Sequence, residues 1–302
     1  MTPAARDGKR RFVDLHTHST ASDGQLPPAE VVRLADELGL AAVALTDHDT
    51  LDGLAEAAEA ARDLPRLRFV PGIEVSAVPP SGTLHILGLG VDPASPAIAR
   101  LAAFLREARQ RRNPRILERL AELGLEVPME DVLAVAGEPQ PGGKERVVGR
   151  PHVAEAMVRR GLAASPTEAF EKYLARGRPA YVERERMSPR DTIRALRDGG
   201  ILAVLAHPVQ LACDNRAQLE TILRSLIGLG LNGIEVYHSD HTPEQTRQYL
   251  DLARKYDLAV TGGSDFHGAA KPDVKMGRPR VPLSVVRAHP AAAGLLKGQE
   301  TT

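Results

Sequence analysis

The chain has 302 residues with 39 basic against 39 acidic side chains, so no global field steers it toward nucleic acid or a membrane surface. Its 43% hydrophobic content supports a sizeable core, and with aromatics scarce and Trp absent that core must be packed by Ala, Leu and Val. The single cysteine, Cys213, excludes an internal disulfide framework and a thiolate metal site.

Residues 1–10 are polar and lack the apolar core of a signal peptide, and no apolar run is long enough to span a bilayer. The expectation is a cytoplasmic protein with no membrane contact and no obligatory protein partner. Residues 12–15 read as a short strand. Residues 27–38 read as a helix, with prolines at its start, Val31, Leu34, Ala35 and Leu38 on one face, and Gly39 to end it. AAVALT (41–46) reads as a buried parallel strand, 51–64 as a helix, and 68–75 and 84–89 as strands. Residues 96–188 break this rhythm, with helical text at 96–112, 114–123, 128–135, 151–160 and 166–175 and a turn-rich loop, EPQPGGKE, at 138–145. The alternation then resumes: helix 189–198, strand 201–206, helix 217–229, strand 233–237, helix 243–256 and strand 258–263. Repeated strand–helix units imply a parallel sheet, and this many imply a barrel. The expected organisation is an α/β barrel from 11–95 and 189–290, an inserted helical subdomain at 96–188, and tails at 1–10 and 291–302.

The strand-like runs end in residues of metal-ligand type. His16 and His18 follow the first, with Asp23 in a Ser-Asp-Gly turn beyond them; Asp47 and His48 end the second; Glu74 lies in PGIEVS. His207 ends AVLAH, His238 follows GIEVY, and Asp265 and His267 follow the last strand. In parallel barrels the strand ends converge on one mouth. His85, at the start of LHILG, is the exception. A lone histidine after a strand is usually a hydrogen-bonded structural residue, but this many in register with Asp and Glu are not explained that way. Imidazole with carboxylate and no thiolate suits Mn²⁺, Fe²⁺ or Zn²⁺. About nine donors exceed what one ion needs, and clustered ions of this kind suit hydrolysis of phosphate esters.

The text DLHTHSTASDG (14–24), ALTDHDT (44–50), PGIEVS (71–76), LHILG (84–88), AHP (206–208) and SDFHG (264–268) resembles the PHP (polymerase and histidinol phosphatase) family. The resemblance implies a distorted (β/α)7 barrel and a centre of two to three divalent ions, Mn²⁺ foremost. It implies one ion on His16, His18, Glu74 and Asp265, a second sharing Glu74 with His85 and His207, and a third on Asp23, His48 and His267. Asp265, His207 and His238 are the catalytic candidates. Asp47 precedes a ligand and is expected to orient the ligands from behind. His238 stands outside the ligand set, and contact with substrate, protonation of the leaving group and a plain loop histidine all stay open for it.

GRPHVAEAMV (149–158) with AFEKYLARGRPAYV (169–182) resembles the subgroup of the family that hydrolyses 3′,5′-nucleoside bisphosphates, some relatives of which trim short RNAs from the 5′ end. Pro151 suits a first helical turn, which puts Arg150 and His152 at a helix N-terminus suited to phosphate. Lys172, Tyr173 and Arg178 are weaker candidates. The seven arginines of 100–119 read as a solvated helix face rather than a substrate surface. The expected activity is hydrolysis of a phosphomonoester of a 3′,5′-nucleoside bisphosphate. The alternatives are 5′→3′ cleavage of short 5′-phosphorylated RNA and a histidinol-phosphate-type phosphatase. A non-catalytic module of the family would show eroded ligand positions, and none of the nine is eroded.

Overall fold

Short apolar runs separated by amphipathic helices become the strands of one sheet in the computed structural model, which describes residues 11–137 and 148–296. The chain begins with β1 (Phe12–Asp14), α1 (Pro28–Glu37), β2 (Ala42–Leu45), α2 (Leu54–Arg62), β3 (Arg68–Ala77) and β4 (Leu84–Leu89). There follow α3 (Pro96–Glu122), α4 (Met129–Ala136), α5 (Arg150–Arg159) and α6 (Pro166–Ala169), the last running into a π-helical turn at Phe170–Leu174. The chain then returns through α7 (Pro189–Asp198), β5 (Leu202–Leu205), α8 (Arg216–Leu229), β6 (Gly233–Tyr237), α9 (Pro243–Lys255) and β7 (Ala259–Gly262). It ends with β8 (Val281–Pro282), α10 (Leu283–Arg287) and α11 (Pro290–Ala293). The EPQPGGKE loop and residues 1–10 and 297–302 lie outside the described residues.

The strand order is β7-β6-β5-β4-β3-β2-β1-β8. Period-two alternation buries both faces. In β2, Ala42 and Ala44 fill the barrel interior while Val43 and Leu45 pack against the helices. In β5, Leu202 and Val204 point inward and Ala203 and Leu205 outward. The sheet closes where the chain beyond β1 meets the chain beyond β7. Leu15 N–H donates to Gly262 O (3.0 Å), Asp265 N–H to His16 O (2.9 Å) and His18 N–H to Phe266 O (2.9 Å). Gly263 is required there, because a Cβ at that position would collide with the backbone and Cβ of His16.

The α/β barrel with a helical insertion is as expected, with two corrections to the sheet. A two-residue eighth strand, β8, pairs antiparallel with Phe12 and Val13; it is too short to carry a periodic signal. The sheet is also not wholly parallel, since β4 runs antiparallel to both β3 and β5. The start of β4 therefore lies at the same mouth as the ends of the other strands, which resolves the exception of His85.

The insertion differs in one element. The two helices expected at 96–112 and 114–123 are a single helix, α3, with Pro114 inside it. The missing proline N–H costs a helical hydrogen bond, but packing on either side holds the helix continuous. Ile98, Leu101 and Leu105 belong to the barrel core, whereas Ile116 and Leu120 join a second core with Val153, Met157 and Leu174. Among the described residues no helix is long and apolar enough to cross a membrane.

Candidate metal centre

Every strand but β8 delivers a polar side chain to one mouth. Glu74, fully buried on β3, stands at the centre with five imidazoles around its carboxylate: His85 Nδ1 at 2.7 Å, His48 Nδ1 and His207 Nε2 at 2.9 Å, and His16 Nε2 and His18 Nε2 at 3.3 Å. Asp265 Oδ1 lies 3.1 Å from His18 Nε2 and 3.5 Å from His16 Nε2. Asp23 faces His267 Nε2 at 3.3 Å and His48 Nε2 at 3.7 Å. Glu74 Oε1, His85 Nδ1 and His207 Nε2 all lie within 3.2 Å of one another. The structure thus brings together all nine residues singled out from the sequence, in the neighbourhoods His16–His18–Glu74–Asp265, Glu74–His85–His207 and Asp23–His48–His267.

These side chains approach without bonding one another well. His16 Nε2, His18 Nε2, His48 Nδ1 and Glu74 Oε2 are buried and make no hydrogen bond. Buried polar atoms left this way are costly unless something between them supplies positive charge. Electrostatics says the same. Burial alone would push the His18 imidazole down, yet Asp265 and Glu74 outweigh it and raise it to about 10. Burial raises the Glu74 and Asp265 carboxyls, but the surrounding histidines hold both well below the usual carboxylate range. Carboxylates and imidazoles in this arrangement fit divalent cations, and the absence of thiolate makes them nitrogen–oxygen sites. The backbone is constrained to match, with Asp265 at φ +58° and His207 at φ +24°.

The supporting contacts include one residue that sequence reasoning missed. Glu235 is fully buried on β6; its carboxylate accepts from His16 Nδ1 (3.1 Å) and from the His207 backbone N–H (2.8 Å). This carboxylate–imidazole pairing leaves Nε2 of His16 for the centre. An acidic residue alternating with Ile234 and Val236 in an otherwise apolar strand was the available signal. Asp47 stands behind the ligand loop through two serines. It accepts from Ser19 N–H and Oγ–H, both at 2.7 Å, and from Ser22 Oγ–H at 2.6 Å. Ser22 Oγ also lies 3.1 Å from Asp23 Oδ1, so Asp47 supports that side chain through the serine. His238 is also buried, and its Nδ1 accepts from Asp240 N–H at 3.1 Å. That leaves the proton of the neutral ring on Nε2, 3.8 Å from Asp265 Oδ2.

A cavity of about 320 Å³ adjoins the centre at Asp23, His48 and His85 and is roofed by the insertion. Its walls carry Arg109, Arg112, Arg150, Arg184 and Arg186. Asp49, next to His48, accepts from Ser76 N–H and Oγ–H (both 2.9 Å) and from Arg184 (2.5 Å), with Arg109 at 3.8 Å. Burial pushes Asp49 up, but these arginines outweigh it and hold the carboxyl at about 2. Arg109 also donates to the His48 carbonyl. Arg112 is buried, and among the described residues its guanidinium hydrogen-bonds to Asn113 Oδ1, at 2.9 and 3.2 Å. Burial, then the neighbouring Arg184 and Arg150, pull it down to about 9. Arg150 stacks on Tyr181 (5.2 Å) and Phe170 (5.8 Å) and donates to Leu174 O (3.0 Å). Among the described residues neither Arg112 nor Arg150 forms an ion pair.

The 100–119 segment is therefore not simply a solvated face, because Arg109 and Arg112 turn into the cavity. The other candidates from the insertion are not brought there. Lys172 pairs with Glu168 at 2.5 Å on the exposed outside. His152 Nδ1 accepts from Gly149 N–H at 3.0 Å and so caps α5.

Comparison with known proteins agrees with this geometry. The PHP domain model matches residues 14–141. The chain is 35% identical to a 3′,5′-nucleoside bisphosphate phosphatase of Chromobacterium violaceum over 84% of its own length and 87% of the relative's. It is 35% identical to the 5′-3′ exoribonuclease Rnm of Salmonella typhimurium over 88% of each. It is 35% identical to a phosphoribosyl 1,2-cyclic phosphate 1,2-diphosphodiesterase of Eggerthella lenta over 84% and 94%. A solved structure from Bifidobacterium adolescentis, assigned as a metal-dependent phosphoesterase, superimposes with a TM-score of 0.79 at 35% identity, covering 92% of this chain and 94% of that one. The chain belongs to the PHP family of metal-dependent phosphoesterases, and its His, Asp and Glu clusters are the counterpart of divalent-metal dependence.

Proposed function

We propose that this phosphoesterase removes one phosphate from a 3′,5′-nucleoside bisphosphate, releasing a nucleoside monophosphate and phosphate. The observation that carries the reading is the pair of guanidiniums, buried Arg112 and half-buried Arg150, that line the cavity beside the metal centre and form no ion pair among the described residues. A buried, uncompensated cation costs several kcal/mol, which a bound anion offsets. Substrate with a phosphoryl group at the centre and a second phosphate about one nucleoside away satisfies both places at once. The cavity is of the size that encloses a small-molecule ligand.

His16, His18, Glu74 and Asp265, then His85 and His207, then Asp23, His48 and His267 are the residues that would hold two to three divalent ions, with Mn²⁺ suited to the mixed nitrogen–oxygen donors. Bound there, the ions supply Lewis acidity at the phosphoryl oxygens and lower the pKa of the attacking water. Arg112, Arg150 and Arg184 hold the second phosphate and so orient the ester. Burial holds the His238 imidazole below its ordinary value, so at neutral pH it serves as a hydrogen-bond donor through Nε2–H rather than as a cationic acid. Arg150 stays in the assignment made from sequence; His152 and Lys172 leave it.

A second reading is 5′→3′ cleavage of short RNA. It is favoured by the equal similarity to the Salmonella exoribonuclease, and the same arginines would take the terminal phosphate. The test is phosphate and nucleotide release with Mn²⁺ from 3′,5′-adenosine bisphosphate, AMP, histidinol phosphate and a 5′-phosphorylated short RNA. The bisphosphate should be turned over fastest, with phosphate as a product. Equal turnover of AMP and the bisphosphate would sink the role of the arginine cavity, and release of mononucleotides from RNA at the higher rate would install the second reading.

A further inference from the structure

Asp265 divides its carboxylate between two neighbourhoods. Oδ1 faces His18 Nε2 at 3.1 Å and His16 Nε2 at 3.5 Å, inside the cluster with Glu74. Oδ2 faces away from it, 2.6 Å from Lys271 Nζ and 3.8 Å from His238 Nε2. Lys271 reaches this point from the short turn Gly268–Ala270 that follows His267. Its side chain is 42% exposed while that of Asp265 is only 6% exposed. The half-exposed lysine thus sets its charge against a buried carboxylate of the metal centre, where that charge bears on the centre whatever it contributes to folding. Such a cation competes with any ion for the electrons of that carboxylate. It also ties one oxygen down, and a carboxylate with one oxygen tied has a single oxygen to offer.

We propose that Lys271 is a positioning residue which, by occupying Oδ2, makes Asp265 present Oδ1 alone to the His16–His18–Glu74 cluster, weakening ion binding there in exchange for a fixed orientation. The proposal rests on the reading of that cluster as a divalent-metal site. The left-handed backbone of Asp265, at φ +58°, restricts the carboxylate from the other end, so main chain and lysine together fix its direction. The lysine acts by charge and by reach, and an arginine at the same place supplies the first and much of the second.

The test is calorimetric titration of metal-stripped wild type, K271M, K271R and D265N with Mn²⁺, alongside kcat and KM of the loaded proteins. Removing a unit cation a few ångströms from an ion should tighten Mn²⁺ binding in K271M by about tenfold. Loss of orientation should lower kcat by about tenfold with KM unchanged, within the range found for residues that orient metal ligands. K271R should return both quantities toward wild type, and D265N should bind Mn²⁺ more weakly than any of them. Unchanged or weaker Mn²⁺ binding in K271M, or no recovery in K271R, overturns the proposal. Failure of wild type itself to bind Mn²⁺ overturns the metal reading, and this proposal with it, and is seen independently of the lysine variants.

Discussion

At the barrel mouth the buried imidazoles stand close to carboxylates, whereas in the adjoining cavity buried Arg112 and half-buried Arg150 form no ion pair among the described residues. The first region is a nearly balanced set of opposite charges with room for cations. The second sets five arginines against Asp23, Asp49 and Glu183, an excess of positive charge that suits an anion. Their supports differ as well. The ligands ride on strand ends knitted into the sheet, while the arginines come from α3, from α5 and from the returning segment around Arg184. On the proposed function the contrast is a division of labour: the barrel mouth defines which bond is attacked, and the inserted part defines which molecule carries it.

Breaking the balanced side should have the largest effect. His16→Ala removes a donor from the Asp265 and Glu74 neighbourhood, and kcat/KM should fall by about a thousandfold or more in a phosphate-release assay. Retained activity would remove the cluster from the mechanism. The unbalanced side should respond in KM. Arg112→Met should raise KM for the bisphosphate by about a hundredfold, the scale of a lost charge-assisted contact, while leaving the weak turnover of AMP nearly unchanged. The same variant should melt no lower than wild type, because a buried cation that forms no ion pair among the described residues is replaced by an apolar chain of similar reach. A drop in both substrates' kinetics together would show that Arg112 serves the fold rather than a second phosphate.

Smaller effects sharpen the border between the regions. Glu235→Gln keeps the shape but weakens the acceptor behind His16, so Mn²⁺ affinity should fall by about ten- to a hundredfold by titration. Asp49→Asn tests the point where the two regions touch. The folded-state pKa of Asp49 is depressed to about 2, so its contribution is complete above the ordinary carboxylate value and is lost as pH falls through about 2. Denaturant unfolding at neutral pH should show a loss of about 2 kcal/mol, and the gap from wild type should shrink between about pH 4 and pH 2. A gap independent of pH would mean that the asparagine disturbs packing rather than charge.

The legibility of the two regions from sequence differed for physical reasons. Ligands at strand ends declare themselves, because each is tied to a recognisable apolar run; this is why the nine positions from His16 to His267 were readable in order. His85 looked misplaced only because strand direction leaves no mark on a single strand's text, and the reversal of β4 put it right. The arginines of α3 were misread because a charged helix face carries the same pattern whether it meets water or a cavity, and only the fold-back of the insertion decides. Lys172 was overvalued by the converse error, since its partner Glu168 lies one turn away on the same outer surface. Asp49 hid beside the more conspicuous His48. Glu235 was discoverable, as a lone acid within an apolar strand, but its meaning depended on His16 lying across the barrel from it.

The closure of the barrel has a consequence for how this protein lives with its ions. The hydrogen bonds that join the last parallel strand to the first are made by the main chain of His16, His18 and Asp265, the same residues whose side chains gather at the centre. Seam and site are thus one object on a cylinder stitched shut at that line. Any cation that binds the gathered side chains would therefore favour the closed barrel over an open one.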